Sequence, residues 1–210
     1  MDKIKFGTDG WRAIIAKEFT VANVARVSEA TGLWLQKNYE NPTVFVGYDC
    51  RFAGELFMET SVKVFLKMGL NVRMSKGFVS TPMVSLAANR FNCQIGVVLT
   101  ASHNPPSYNG YKLKADFGGP LAPEHVQQVE DLIPDACTID YSNIDLDAHL
   151  EGGKLIVDDI ETMYVDHVKT NFDLDAIQSS SLKLIYDAMY GAGPVSYTHL
   201  RAHETGRYLV

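Results

Sequence analysis

The fold of this chain is decided by Ile95-Gly96-Val97-Val98-Leu99 and the polar segment that follows it, Thr100-Ala101-Ser102-His103-Asn104-Pro105-Pro106-Ser107-Tyr108-Asn109-Gly110-Tyr111-Lys112. The first part is a short apolar run, typical of a strand that is buried on both faces of a parallel sheet. The second part is polar, and its two prolines restrict the backbone. In open α/β sheets, the loop beyond the carboxyl end of a buried strand commonly carries the chemistry. We therefore predict an α/β fold with a functional loop after Leu99.

Four side chains of this loop are candidates for chemistry. They are the hydroxyl of Ser102, the imidazole of His103, the amide of Asn104 and the ammonium of Lys112. Taken alone, a serine beside Asn and Pro is most often a turn former. A lone loop histidine is as often a hydrogen-bonding residue as a catalyst, so the loop needs support from the rest of the sequence.

Apolar strands alternate with amphipathic helices around this segment. Strands are predicted at 43–47, 71–74 and 94–100, followed by a shorter one at 111–114. Helices are predicted to begin at a Thr20 cap, at Gly54, at Thr81-Pro82 with the Thr81 hydroxyl as the cap, and at Pro123. This alternation predicts a layered, mostly parallel sheet flanked by helices.

The composition of the chain changes beyond Pro134, which suggests four parts. We assign 1–135 to a first α/β domain that contains the serine loop, and 136–154 to a polar linker. Residues 155–193 then begin a second, incomplete α/β domain, with Asp158 as a helix cap and a strand at 182–186. We expect the helix and strand of this incomplete unit to lack packing partners.

The last part, 194–210, is predicted to be a non-native tail. Read back into codons, the sequence from Pro194 is similar to a transposase adapter used in making sequencing libraries. We therefore expect the chain to be the N-terminal fragment of a longer protein. His199 and His203 have the i, i+4 spacing of zinc ligands, but the adapter hypothesis disfavours that interpretation.

The overall composition excludes several classes of protein. The net charge is −6 and the basic residues are dispersed, which argues against a nucleic-acid groove. No apolar run approaches the roughly 18 to 20 residues of a membrane span, and the N-terminus lacks the apolar core of a signal peptide. The cysteines lie far apart without CxxC spacing, as expected for reduced thiols of a cytoplasmic protein. They are Cys50, Cys93 and Cys137. Oligomeric state is not predicted.

Four segments together resemble the α-D-phosphohexomutase superfamily of phosphoglucomutases and phosphomannomutases. They are Phe6-Gly7-Thr8-Asp9-Gly10-Trp11-Arg12, Gly47-Tyr48-Asp49-Cys50-Arg51, the loop from Thr100 to Lys112, and Asp187-Ala188-Met189-Tyr190-Gly191-Ala192-Gly193. Their order and approximate spacing match those of the superfamily, and the resemblance extends from Ile4 to Gly193.

This resemblance implies a four-domain enzyme that moves phosphate between the 1- and 6-positions of a hexose. In that superfamily, the serine that matches Ser102 is phosphorylated. It gives its phosphoryl group to the hexose phosphate substrate and recovers phosphate from the hexose 1,6-bisphosphate intermediate. Arg12 and Lys112 match positions near the transferring group, where cations stabilise developing charge. Lys112 could also act as a general acid or base. His103 matches a loop histidine whose role stays open.

Other residues of these motifs have alternatives. Arg12 could instead pair with Asp9 or Asp49 at the surface. We favour a role for Asp49 and Arg51 in supporting the serine loop over direct contact with substrate, and Asn104 belongs to the same support.

The resemblance further implies Mg²⁺, bound by the phosphoserine and by three aspartates of a glycine-interleaved loop in the second domain. Nothing in this sequence matches that loop. Asp145-Leu146-Asp147 and Asp173-Leu174-Asp175 lack the glycines and are predicted to form turns and helix caps. Ser102, through its phosphate, would therefore be a metal ligand whose aspartate partners are absent, and we predict no mutase turnover by this chain alone.

Two alternatives to a phosphoglucomutase or phosphomannomutase remain. One is a non-catalytic phosphosugar-binding or regulatory fragment, and the other is a phosphoglucosamine mutase of the same superfamily. A serine hydrolase is disfavoured, because the sequence has no G-x-S-x-G motif. The sequence does not select the hexose.

Overall fold

A six-stranded sheet lies at the centre of the computed structural model, which describes residues 3–8, 10–181, 183, 185 and 187–193. In chain order the strands are β1 (Trp11–Ile14), β2 (Thr43–Tyr48), β3 (Asn71–Ser75), β4 (Ile95–Leu99), β5 (Tyr108–Ala115) and β6 (Leu155–Asp158). Their order in the sheet is β1-β5-β4-β2-β3-β6. Strands β4, β2, β3 and β6 are parallel, and β5 runs antiparallel to its neighbours β4 and β1. The predicted α/β class with a mostly parallel sheet is confirmed.

Helices cover both faces of this sheet. In chain order the helices of the described residues are α1 (Val21–Asn38), α2 (Gly54–Lys67), α3 (Thr81–Arg90), α4 (Pro123–Asp131), α5 (Leu146–Glu151), α6 (Ile160–Asn171) and α7 (Leu174–Gln178). One core lies under α1, α2 and α4 and includes the buried side chains of Trp34, Phe65 and Tyr111. A second core, on the opposite face, joins Phe45 and Val98 of the sheet to Met83 of α3.

The start of α1 follows directly from its sequence. Thr20 is the N-cap, and its hydroxyl accepts a hydrogen bond of 3.2 Å from the Asn23 backbone N–H. The apolar side chains of α1 are buried, among them Val24, Val27 and Leu35, and Trp34 donates from Nε1 to Gln128 Oε1 of α4 at 2.8 Å. Hydrophobic burial and this bond together fix α1 against α4.

The structure differs from the predicted elements in several places. Strand β5 has eight residues and is longer than predicted, because it pairs with β4 on one side and with β1 on the other. Strand β1 was not predicted. Ser80 is the N-cap of α3, so the expected Thr81 cap is wrong by one residue, although Pro82 does lie in the first turn.

Residues 155–171 also differ from expectation, since they pack on the first unit. Strand β6 pairs in parallel with β3, and Ile160 of α6 is buried in the second core. Asp159 caps α6, and the predicted cap, Asp158, instead forms an ion pair with Arg73. The expectation that this helix has no packing partners is therefore wrong for α6, and strand β6 was not predicted.

Two of the predicted segments extend beyond what is described. The strand expected at 182–186 includes residues 182, 184 and 186, which lie outside the described residues. The tail at 194–210 lies wholly outside them. In the described part of the chain, no helix combines the length and apolar character needed to cross a bilayer.

Candidate active site

The candidate site lies where β2 and β4 end side by side. Tyr48 and Leu99 are partners in the parallel pairing of these strands, so the residues that follow them leave the sheet at the same edge. The backbone N–H of Asp49 donates to the Leu99 carbonyl at 3.1 Å, which extends the pairing by one residue. This placement brings two motifs together that lie about 50 residues apart in the sequence.

A hydrogen-bonded chain connects the two strand ends to the serine. The buried hydroxyl of Thr100 donates to Asp49 Oδ2 at 2.5 Å and accepts from the Ser102 backbone N–H at 2.9 Å. The Thr100 N–H itself donates to the Gly110 carbonyl of β5 at 2.9 Å. Threonine therefore uses both its side chain and its backbone to connect the loop to the sheet.

Ser102 lies exposed at the start of the loop with an unusual backbone. Its φ of 55° is in the left-handed region, which costs a non-glycine residue about 1 kcal/mol or more. Its Oγ is 3.4 Å from Nδ1 of His103, which is also exposed. Backbone strain of this kind is found at functional sites when the surrounding structure enforces it.

Arg51 is the residue around which the loop folds. Its two terminal nitrogens donate four hydrogen bonds of 2.6 to 2.9 Å to backbone carbonyls of the loop, those of Ser102, Asn104, Pro105 and Tyr108. The Arg51 backbone N–H donates to Asp49 Oδ1 at 3.0 Å, and Nε lies 3.5 Å from Asp49 Oδ2. This geometry supports the interpretation that Asp49 and Arg51 support the loop.

Two further candidate cations, Arg12 and Lys112, lie on β1 and β5. Arg12 is paired with Gly110 in the antiparallel register, and Lys112 lies two residues further along β5, so the alternation of strands places both on one sheet face. Arg12 donates from Nη1 to Asn104 Oδ1 at 3.1 Å. Lys112 is 4 % exposed, and a Cβ at Gly10 would lie 2.9 Å from its Cγ. The alternative pairing of Arg12 with Asp9 falls on a residue outside the described ones.

Thr100 and Gly110 were not predicted to have roles of their own. Thr100 belongs to the serine motif, but a threonine at a strand end is also an ordinary β-sheet residue, so its hydroxyl network had no separate signal. Gly110 gave a weak signal as a glycine inside a strand. A Cβ at this position would overlap the Thr100 carbonyl and lie 2.8 Å from that of Trp11.

Acidic residues elsewhere behave as predicted caps. Asp145 accepts from the N–H groups of Asp147 and Ala148, and Asp173 accepts from that of Ala176. Within the described ranges, no group of three or more His, Cys, Asp or Glu side chains is arranged to hold a metal ion. The described residues thus do not fit a Mg²⁺ site by themselves, and no step below is derived through the ion.

The cysteine thiols are poor nucleophiles in this structure. Burial, and then the nearby Asp49 charge, raises the pKa of Cys50, which lies beside the site. Burial raises the pKa of Cys93 to about 12 and that of Cys137 to about 11. Thiolate is the reactive form, so these raised pKa values disfavour the three cysteines as nucleophiles near neutral pH.

Comparison with known proteins identifies the family of this chain. The sequence matches the family described as "Phosphoglucomutase/phosphomannomutase, alpha/beta/alpha domain I" over residues 3–138. It is 34% identical over 196 residues to a phosphoglucomutase/phosphomannomutase of Thermococcus kodakarensis, covering 93% of this chain and 41% of that protein. It is 31% identical over 203 residues to a phosphoglucosamine/phosphogalactosamine mutase of Sulfurisphaera tokodaii, with coverages of 96% and 42%.

A solved structure gives the same result. The crystal structure of a protein assigned as a phosphomannomutase from Thermus thermophilus superimposes with a TM-score of 0.85 at 35% identity, and the match covers 96% of this chain and 44% of that one. The chain thus spans about two fifths of the length of the curated relatives that it matches. On its sequence, its fold and the serine loop, the chain belongs to the phosphoglucomutase/phosphomannomutase family.

Proposed function

We propose that Ser102 carries the phosphoryl group of a hexose-phosphate mutase that interconverts hexose 1-phosphate and hexose 6-phosphate. The observation that carries this proposal is the exposed Ser102 hydroxyl on a loop whose backbone is fixed around Arg51. Phosphoryl transfer demands mainly positioning and charge stabilisation, and a fixed loop supplies the first.

In the proposed transfer step, one phosphorus–oxygen bond is exchanged for another. A hexose 1,6-bisphosphate gives one phosphoryl group to Ser102 Oγ, so a phosphorus–oxygen bond to the sugar breaks as the bond to serine forms. The serine proton is lost, and the departing sugar oxygen gains one to become a hydroxyl. The reverse step, with the sugar phosphate turned around, places phosphate on the other position.

Charge stabilisation is proposed for Arg12 and Lys112. The two lie on the same sheet face, and Arg12 also contacts the loop through Asn104. Cations that are already fixed beside the equatorial phosphoryl oxygens stabilise the transition state without reorganisation. For His103, 3.4 Å from the serine hydroxyl, we propose contact with the entering or leaving group.

A mass measurement tests this proposal. The chain is incubated with glucose 1,6-bisphosphate and Mg²⁺, and intact mass and peptide mapping locate any phosphate. We expect one phosphoryl group on Ser102 in the wild type and none in Ser102→Ala. Ser107→Ala, which removes another exposed hydroxyl of the same loop, is the matched control and is expected to be modified normally.

Two outcomes would contradict the proposal. Phosphate on the Ser102→Ala protein at the wild-type level would assign the chemistry elsewhere. A wild-type chain that binds the bisphosphate saturably but is never modified would instead support a non-catalytic phosphosugar-binding protein.

The sugar is proposed only as a class. Relatives of this chain are named for glucose and mannose phosphates and also for glucosamine and galactosamine phosphates, so hexose phosphate is the substrate class that they share. Mutase turnover by the 210-residue chain alone is not expected. Conversion of glucose 1-phosphate to glucose 6-phosphate, followed by a coupled dehydrogenase, measures it, and ordinary turnover would contradict this expectation.

A further inference from the structure

All five N–H groups of the Arg51 guanidinium are directed at protein acceptors. Four donate to loop carbonyls, and the fifth, on Nε, faces Asp49 Oδ2. We infer that Arg51 is a positioning residue which fixes the backbone of Ser102 and does not bind the phosphate of the substrate. This inference rests on the proposed role of Ser102 as phosphoryl carrier.

The acceptors of Arg51 come from both arms of the loop. Ser102 and Asn104 lie on the arm that leaves β4, whereas Pro105 and Tyr108 lie on the arm that enters β5. One guanidinium therefore joins the two arms of the loop through their backbone carbonyls. The Arg51 and Asp49 side chains are only 12% and 14% exposed, so the guanidinium itself is largely shielded from water.

The Ser102 residue is held at both of its peptide groups. Its N–H donates to the Thr100 hydroxyl, and its carbonyl accepts from Arg51 Nη2 at 2.7 Å. Thr100 in turn donates to Asp49, so the two contacts belong to one connected network. With both peptide planes fixed, the left-handed backbone at Ser102 is maintained, and rotation about χ1 is the main freedom left to its hydroxyl.

This arrangement predicts a specific kinetic effect. Loss of a phosphate-binding arginine weakens the binding of the bisphosphate, whereas loss of a positioning arginine leaves binding intact and lowers the rate of transfer. A displacement of the reacting oxygen by about 1 Å costs about 100-fold in rate. Arg51 variants should therefore show a lower maximal rate at an unchanged half-saturating concentration.

The experiment measures the initial rate of Ser102 phosphorylation against glucose 1,6-bisphosphate concentration in four variants. Arg51→Lys keeps the charge but cannot reach four carbonyls, and Thr100→Val removes the hydroxyl at constant shape. Thr100→Ser restores the hydroxyl. Arg73→Lys is the matched control, because Arg73 forms a comparable two-bond contact with Asp158, in β6.

We expect the maximal rate to fall about 10- to 100-fold in Arg51→Lys and Thr100→Val. The half-saturating concentration of the bisphosphate should stay within about twofold of the wild-type value. Thr100→Ser and Arg73→Lys should keep the wild-type rate. A rise in half-saturation with an unchanged maximal rate in Arg51→Lys would identify Arg51 as a phosphate ligand and overturn the inference. Wild-type rates in both Arg51→Lys and Thr100→Val would overturn it as well.

A second measurement separates this inference from the proposed function. If the wild-type chain accepts no phosphate, the phosphoserine proposal fails, and hydrogen exchange at the Ser102 amide then decides the role of Arg51. The fixed loop predicts that exchange accelerates at least about tenfold in Arg51→Lys and in Thr100→Val, but not in Arg73→Lys. Unchanged protection in the first two variants would reject the network as the element that holds Ser102.

Discussion

Two arginines of this molecule, Arg51 and Arg73, perform different tasks with the same chemical group. Arg73 of β3 donates from Nε and Nη2 to the two carboxylate oxygens of Asp158 in β6, at 2.9 and 2.6 Å, and its guanidinium lies 4.0 Å from the centre of the Phe91 ring. Arg51 instead donates to four neutral carbonyls of the serine loop. The first contact joins two strands, and the second gives shape to a loop.

The difference follows from what each backbone already has. Strands β3 and β6 are paired by their own ladder, so the ion pair adds stability to an arrangement that the backbone specifies. The loop after Leu99 has turns, such as Asn104 N–H to the Ala101 carbonyl at 3.1 Å, and single backbone contacts to neighbouring segments, such as Ile15 N–H to the Ser107 carbonyl at 2.8 Å, but no continuous ladder. The carbonyls of Ser102, Asn104 and Pro105 lie outside the strands, and Arg51 provides donors for them. An arginine bound by carbonyls therefore marks a backbone whose shape matters.

The largest effect on stability is expected from Gly110→Ala, at the point where β5 pairs with the start of the serine loop. The new Cβ would meet the carbonyls of Thr100 and Trp11, and neither backbone can move without opening the sheet. We expect a loss of about 4 kcal/mol in the free energy of unfolding, measured by urea denaturation. Gly77→Ala is the control, since no heavy atom lies within 4 Å of a Cβ there. Equal stabilities of the two variants would show that the sheet tolerates the overlap.

Removal of the other arginine should affect stability alone. Arg73→Met leaves Asp158 half-buried without its partner, so we expect a loss of about 2 to 3 kcal/mol in the free energy of unfolding. The rate of Ser102 phosphorylation should not change. A double-mutant cycle with Asp158→Asn measures the coupling, and a selective loss of phosphorylation in Arg73→Met would remove the contrast between the two arginines.

Alkaline pH should lower the free energy of unfolding through the buried thiol of Cys93, which lies near Arg73. Burial raises its pKa from 9.0 to about 12, so the thiol ionises in the unfolded chain before it does in the folded one. Stability is therefore full below pH 9 and falls by up to about 1.4 kcal/mol per pH unit as the pH rises toward 12. Urea midpoints at pH 8, 9, 10 and 11 give the slope. It should be shallower in Cys93→Ala, and identical slopes would contradict the assignment.

The smallest effect on the free energy of unfolding is expected at Ser102 itself. Ser102→Gly relieves the cost of a φ of 55° but adds freedom to the unfolded chain, for a net gain of about 0.5 kcal/mol. Phosphorylation should be lost completely. Ser107→Gly, at a position without positive φ, should instead lose a few tenths of a kcal/mol. Thermal unfolding of the two variants compares them, and a larger loss at Ser102 than at Ser107 would argue against strain in the loop.

Much of this architecture was predictable from local patterns. The Thr20 cap and the apolar face of α1 were predicted because capping and 3.6-residue periodicity act within one helix. The apolar run at Ile95–Leu99 and the loop after it were found for a similar reason, since a buried strand has a simple composition. The motifs selected Ser102 and Arg51 as candidate site residues, although they did not predict the geometry of these residues.

Elements that depend on distant partners were missed. Strand β1 is only four residues long and is defined by its pairing with β5, about 100 residues further along the chain. Strand β6 follows a polar segment that resembled a linker, yet it pairs with β3. Neither short sequence has a period of its own long enough to identify it, so the partner decides.

By itself, the sequence determined the alternation of strands and helices, the position of the serine loop and the family to which the chain belongs, because these depend on local periodicity and on short motifs. Only the tertiary structure decided that Arg51 is enclosed by four carbonyls and that Thr100 links Asp49 to Ser102. The physical reason is that hydrogen bonds across the edge of a sheet join residues that are remote in the chain, and no local pattern records which donor will meet which acceptor.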